Sequence, residues 1–260
     1  MDLQHGLWWL SIATEGAAFT SLVLRRITGR YRWFAAYLAF GVVRGISLHF
    51  AGNPNHSGRY AISWMITEPI LLALLVLTTL EIVGKVPEHY QRFGSFGRRK
   101  LRHLLHIALA LALISSVIES VNPQWSFSIR TLLLFLFTLH RITTSTLALY
   151  LILVAIFVSR VRVPFRRNLL IHSRLFACYL TIQTCIMLVA VAIGHGTPIV
   201  DNILTGSSSL LFVMWTVLLS RPGEALPARK TLSDAEIDAN LMRERDLKKT
   251  AGRYSDRPLG

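Results

Sequence analysis

Acidic residues are scarce in this chain: 14 Asp and Glu stand against 28 Lys and Arg in 260 residues, and only 16% of the sequence is charged. Lysine avoids the apolar sequence altogether. Lys85, Lys100, Lys230, Lys248 and Lys249 all lie between or beyond the long apolar runs, so no lysine can form a retinal Schiff base in a bundle, which excludes a rhodopsin-type photoreceptor or pump. There are only two cysteines, Cys178 and Cys185, seven apart in one apolar run, where they cannot bridge each other and read as small packing residues. No disulfide framework exists. The alternating ten-residue segments of a membrane β-barrel are absent as well. The N-terminal MDLQHGLWWL lacks the basic region of a cleavable signal, so the first apolar run is expected to be retained as an anchor.

What the sequence does have is length of apolar run. Hydrophobic residues make up 52% of the chain and form seven runs, 7–24, 32–50, 61–83, 104–121, 131–158, 170–194 and 200–219, each near the length that crosses a bilayer as a helix. The expected fold class is an all-α membrane protein, a seven transmembrane helix bundle over 1–220, with the N-terminus outside and the C-terminus cytoplasmic. Orientation follows from the basic residues. Arg25, Arg26 and Arg30 in the first connection, Arg98, Arg99 and Lys100 in the third, and Arg160, Arg162 and Arg166 in the fifth contrast with little more than Arg59 and Arg130 on the alternate side. The net charge of +14 is thereby assigned to membrane orientation and anionic lipid, not to nucleic acid.

Charges inside the runs are the candidate functional residues. Arg44 and Glu68 lie six and seven residues from the ends of a short connection, 51–60, which places both about 9–10 Å below one membrane surface at 1.5 Å per residue. They can meet, either as a binding site or as an ion pair that fixes the register of the hairpin. Gly41 and Gly45 flank Arg44 and allow a neighbouring helix close approach, and Pro69 after Glu68 favours a kink. Glu15 shares a stripe with Ser11, Thr14, Ala18 and Ser21, and it reads as either a packing carboxyl or a site residue. Glu119, His140, Arg141, Asp201 and Asn202 also fall in the outer or middle part of their runs, and the set implies a polar cavity open to the outside. In it Arg44 and Arg141 would engage an anionic group, Glu68 and Glu15 a cationic group or proton, and Asp201 and Asn202 the rim.

Several further features take bland readings. Glu81 is expected to pair with arginines of the basic connections, Thr181, Thr184 and Cys185 to form the bundle-facing stripe of their run, and Ser207, Ser208 and Ser209 to pack helices without catalysis. His103 and His106 are interfacial, and neither metal nor cofactor is expected. The connection 84–103 mixes aromatic and basic residues, as a segment on the inner leaflet or a protein-partner surface does. After Ser220 a polar tail, 221–260, carries one helix signal over about 234–248, where Ser233 and Glu236 form a capping box. It has no room for a kinase or cyclase domain, so output is expected to pass through a partner or through the bundle.

Tyr60, Trp64 and Glu68, followed by Glu81 and the aromatic-basic connection, resemble a pattern in uncharacterised bacterial inner-membrane proteins with seven helices. The N-out, C-in arrangement is also similar to the seven-helix sensory input modules joined to histidine kinases and cyclases. That resemblance implies a receptor-like or accessory protein of the bacterial inner (plasma) membrane. The short tail without an effector is where this chain departs from those modules. A proton-coupled transporter or membrane enzyme using Glu68 or Glu15, and a structural subunit of a membrane complex, stay open as the other readings.

Overall fold

The computed structural model describes residues 3–52, 58–85, 103, 105–107, 129–159, 166–192 and 198–224. Those residues are helical apart from short connections, with no strand among them: α1 Leu3–Leu24, α2 Arg32–Ala51, α3 Gly58–Gly84, α4 Ile129–Ser159, α5 Arg167–Ala192 and α6 Pro198–Leu218, then one 3₁₀ turn at Pro222–Glu224. Helices α1, α2, α3, α4 over Phe135–Ile156 and α5 over Arg167–Ala190 are long and apolar enough to cross a membrane. Helix α6 is not one of those five, because Asp201, Asn202 and Ser207–Ser209 dilute its first half. Apart from 105–107, the expected fourth span with Glu119 lies outside the described residues, as do most of 84–103 and the tail helix over 234–248.

The six helices close into a ring. Each packs on its two neighbours in chain order, and α1 closes the circle against α6. The outward faces are apolar, with Leu24, Val43, Phe50, Ile66 and Val217 all more than half exposed, as a lipid solvent requires. Inside, aromatic residues fill the ring: Phe34 lies 5.0 Å from Trp215 and 4.4 Å from His172 between ring centroids, and Phe212 stacks on Trp215 at 5.8 Å. His172 is fully buried among them and accepts a hydrogen bond from Trp215 Nε1 (3.0 Å).

The turn between α1 and α2 follows from a helix-stop motif. Arg26 takes a left-handed φ of 56°, Ile27 N–H bonds to Leu22 O (3.1 Å), and Arg26 N–H to Val23 O (2.9 Å). This is a Schellman closure, and Leu22 and Ile27, the pair such a motif brings into contact, are both buried. Helix α2 then starts without a cap from its own Tyr31. Instead Glu81 of α3 accepts the N–H groups of Arg32 (3.0 Å), Trp33 (3.1 Å) and Phe34 (3.4 Å). The expectation that Glu81 pairs with arginines is thus corrected: three unsatisfied amides and the positive end of the helix dipole hold it, with Lys85 Nζ at 3.5 Å.

The close approach expected at Gly41 and Gly45 is made by α1. The Glu15 carboxyl occupies the space a side chain at Gly41 would take, and a Cβ on Gly45 would come within 2.8 Å of Ile12 Cγ1. Trp8 Nε1 also donates to Gly45 O (3.4 Å). In α5 the expected stripe divides: the Thr184 hydroxyl is buried and Thr181 is half-buried, but Cys185, with Cys178, is exposed, and Phe176, Tyr179, Leu180 and Gln183 are buried.

Candidate functional site

The polar centre sits on four helices in the half of the bundle remote from the 25–31 turn. Glu68 of α3 is 1% exposed, and both its oxygens are used: Oε2 accepts from Arg44 Nη2 of α2, and Oε1 faces His140 Nδ1 of α4. Arg44 is further held by Thr67, whose hydroxyl accepts from Arg44 Nε (3.3 Å) while donating to Ser63 O (2.8 Å) within its own helix. The Pro69 ring removes the N–H that would bond the carbonyl of Met65, yet α3 runs unbroken through it. Glu68 therefore sits beside a gap in the hydrogen-bond ladder of α3.

From His140 the polar contacts continue into α5. His140 Nε2 lies 3.3 Å from Gln183 Oε1, Gln183 Nε2 donates to Tyr179 Oη (2.7 Å), and Tyr179 Oη bonds Tyr37 Oη of α2. His140 thus lies between two acceptors, the Gln183 amide oxygen at Nε2 and the Glu68 carboxylate at Nδ1. Glu68 is thereby matched by a guanidinium on one side and an imidazole on the other.

Glu15 stands apart. Its carboxyl is 8% exposed, packed against Gly41, and makes no hydrogen bond among the described residues, with Arg44 the opposite charge close enough to act on it. The Arg44 side chain is 19% exposed, against 1% for Glu68, so the guanidinium is the accessible member of the pair. Arg141 is buried at the position after His140. Asp201 is exposed in the first turn of α6 and Asn202 is half-buried, and neither bonds to Glu68 or Arg44. Tyr60, at the start of α3, is within electrostatic reach of Arg44, Glu68 and Asp201 together. Glu119 lies outside the described residues.

Sequence reasoning brought Arg44, Glu68 and His140 to one half of the bundle, and the structure joins them. It missed Tyr37, Tyr179 and Gln183. The signal was present in the spacing: Tyr179 and Gln183 are i,i+4 on α5, and Tyr37 and Arg44 are i,i+7 on α2. Among the described residues no three His, Cys, Asp or Glu side chains come together as metal ligands would. No protein-family model, curated protein or solved structure matches this chain, so the chemistry of the cluster rests on its own geometry.

Proposed function

We propose that the chain is a receptor-like or accessory protein of the plasma (inner) membrane, with seven spans and an outside N-terminus, which binds a small charged ligand at Arg44 and Glu15. The observation that carries this reading is the pairing of an accessible, rigidly held guanidinium with a buried carboxyl that has no hydrogen bond, on adjacent helices. Arg44 takes the anionic part of the ligand and Glu15 its cationic part. Glu68, already matched on both oxygens, positions Arg44 and does not itself receive the ligand. Support for the orientation comes from Arg30, Lys85 and Arg166 of the basic connections, which gather with Tyr31 and Glu224 at one end of the bundle.

A proton relay through Glu68, the reading from another class, has the direct Glu68–His140 contact in its favour. Beyond His140, however, the chain of contacts runs into the amide of Gln183, which orients its neighbours and does not pass a proton on. The test is the melting temperature of the detergent-purified protein across amino acids, organic anions and amines. A ligand at a hundredfold excess over its Kd adds about 2.7 kcal/mol of stability. The proposal expects a shift that is lost in Glu15→Gln and in Arg44→Lys. No shift with any compound would transfer the weight to a structural subunit, and a shift that survives both substitutions would place the ligand elsewhere.

A further inference from the structure

At the end of the bundle remote from the 25–31 turn, the seam between α1 and α2 closes on two histidines. The two helices run antiparallel and meet at regular steps. The Glu15 carboxyl fills the space beside Gly41, Ile12 and Trp8 meet Gly45, and one turn further along His5 stands against His49. These residues are three or four apart on α1 and four apart on α2, so a single face of each helix carries them all. The packing at the two glycines thereby fixes how the imidazoles, in the first turn of α1 and the last turn of α2, approach each other.

The ring centroids of His5 and His49 are 5.3 Å apart, with the planes inclined at 47°. Two imidazoles on one tetrahedral ion, with metal–nitrogen bonds of about 2.0–2.1 Å, set their centroids about 5 Å apart. The state of the His5 ring is a second observation. Trp9 Nε1 can only donate, and it donates to His5 Nε2 (3.3 Å), so that nitrogen presents a lone pair, the form in which an imidazole takes a metal. The bond is longer than the usual range of about 2.7–3.2 Å, so an ion displaces the indole at small cost. Trp9 also packs edge-on against His49, with centroids 4.8 Å apart, and so touches both histidines. His5 is exposed and His49 half-buried, which leaves the pair open to an ion from outside the bundle.

We propose that His5 and His49 form a two-histidine site for a divalent transition-metal ion, which clips the start of α1 to the end of α2. Imidazole ligands suit copper and zinc, and copper heads the affinity order for such donors. Two side chains leave the other positions of the ion to water or to an exchangeable ligand, so the site is an open one. It rests on the packing of α1 against α2, and its test does not depend on Arg44 or Glu15 binding anything.

The test uses the full chain without a histidine tag, in neutral detergent, as wild type, His5→Ala, His49→Ala and Trp9→Phe. Copper(II) is titrated and followed by electron paramagnetic resonance and by tryptophan fluorescence. Wild type should bind one tight equivalent whose spectrum carries two imidazole nitrogens, and each histidine variant should lose that equivalent. Trp9→Phe should keep the copper signal and lose part of the fluorescence quenching. In a second arm, saturating zinc should raise the wild-type melting temperature by about 3 °C or more, a rise absent from both histidine variants. No tight copper, copper held by a single imidazole nitrogen, or equal binding in wild type and His5→Ala would overturn the proposal. His5 is exposed, so His5→Ala decides the matter should His49→Ala fail to fold.

Discussion

Two carboxylates of the bundle, Glu68 and Glu224, are held in different ways. Glu68 belongs to a long helix, is closed off from water, and is matched oxygen by oxygen by Arg44 and His140 from two other helices. Glu224 belongs to a three-residue turn, its side chain is 14% exposed, and it faces two arginines with imperfect geometry. Removing the first acid takes the shared acceptor away from both Arg44 and His140 among rigid helices. Removing the second leaves cations that water or another anion can reach. A matched pair in a rigid frame is a positioning device, whereas an acid on a short turn ties that turn to the helices around it.

The largest test of this contrast is to remove each acid. Glu68→Ala leaves Arg44 and His140 facing each other without an anion and should cost about 3–5 kcal/mol, the range for breaking a buried pair from one side. Glu224→Ala should cost about 1–2 kcal/mol, since its charge partners are partly solvated. Melting temperatures of the two variants in one detergent measure the difference. Equal losses would erase the distinction between the centres.

Charge reversal sharpens the same point. If the Arg44–Glu68 pair acted alone, Arg44→Glu with Glu68→Arg would restore stability. In this structure it should not, because an arginine at position 68 would be set against His140 and leave the imidazole without its acceptor. Full recovery in the double variant would show that His140 contributes nothing to the centre. A smaller effect is expected from Gln183→Leu, which strips His140 Nε2 and Tyr179 Oη of their shared partner and should cost about 1–3 kcal/mol. A neutral result would confine the centre to Arg44, Glu68 and His140.

Much of the first centre was legible in the sequence, and almost none of the second. Arg44 and Glu68 could be matched because helical rise and a short connection fix their depths, whereas the packing of Glu15 on Gly41 could not be read, since nothing in the spacing names which helix approaches the glycines. Helix α5 was read only in part, and Gln183 was missed for a chemical reason. Thr181 satisfies its hydroxyl on the carbonyl of Ala177 (2.8 Å), so a threonine can face lipid at little cost, whereas an amide such as Gln183 cannot and must turn inward. Residue polarity alone does not separate these cases. Glu81 and Glu224 were missed because their partners are backbone amides and turn residues, whose arrival depends on how the chain reverses. Nothing in the mixed charges after Ser220 distinguishes Glu224 from Asp234 or Glu244.

The smallest expected effect separates the centres by pH. Burial, and then the Glu224 carboxylate beside it, push the Tyr31 hydroxyl above the usual tyrosine range, so it stays a neutral donor. For a group whose folded pKa is raised, the stabilisation is complete below its unfolded value, about 10 for tyrosine, and is lost as pH rises through the folded value. Tyr31→Phe removes that contribution, worth about 1 kcal/mol for one hydrogen bond. Wild type should therefore be the more stable protein at pH 8, and the two melting temperatures should converge as the pH is raised past 10. A gap that stays constant over that range would mean that Tyr31 does not serve Glu224 as a donor, and that Glu224 is held by Asn168 and the arginines.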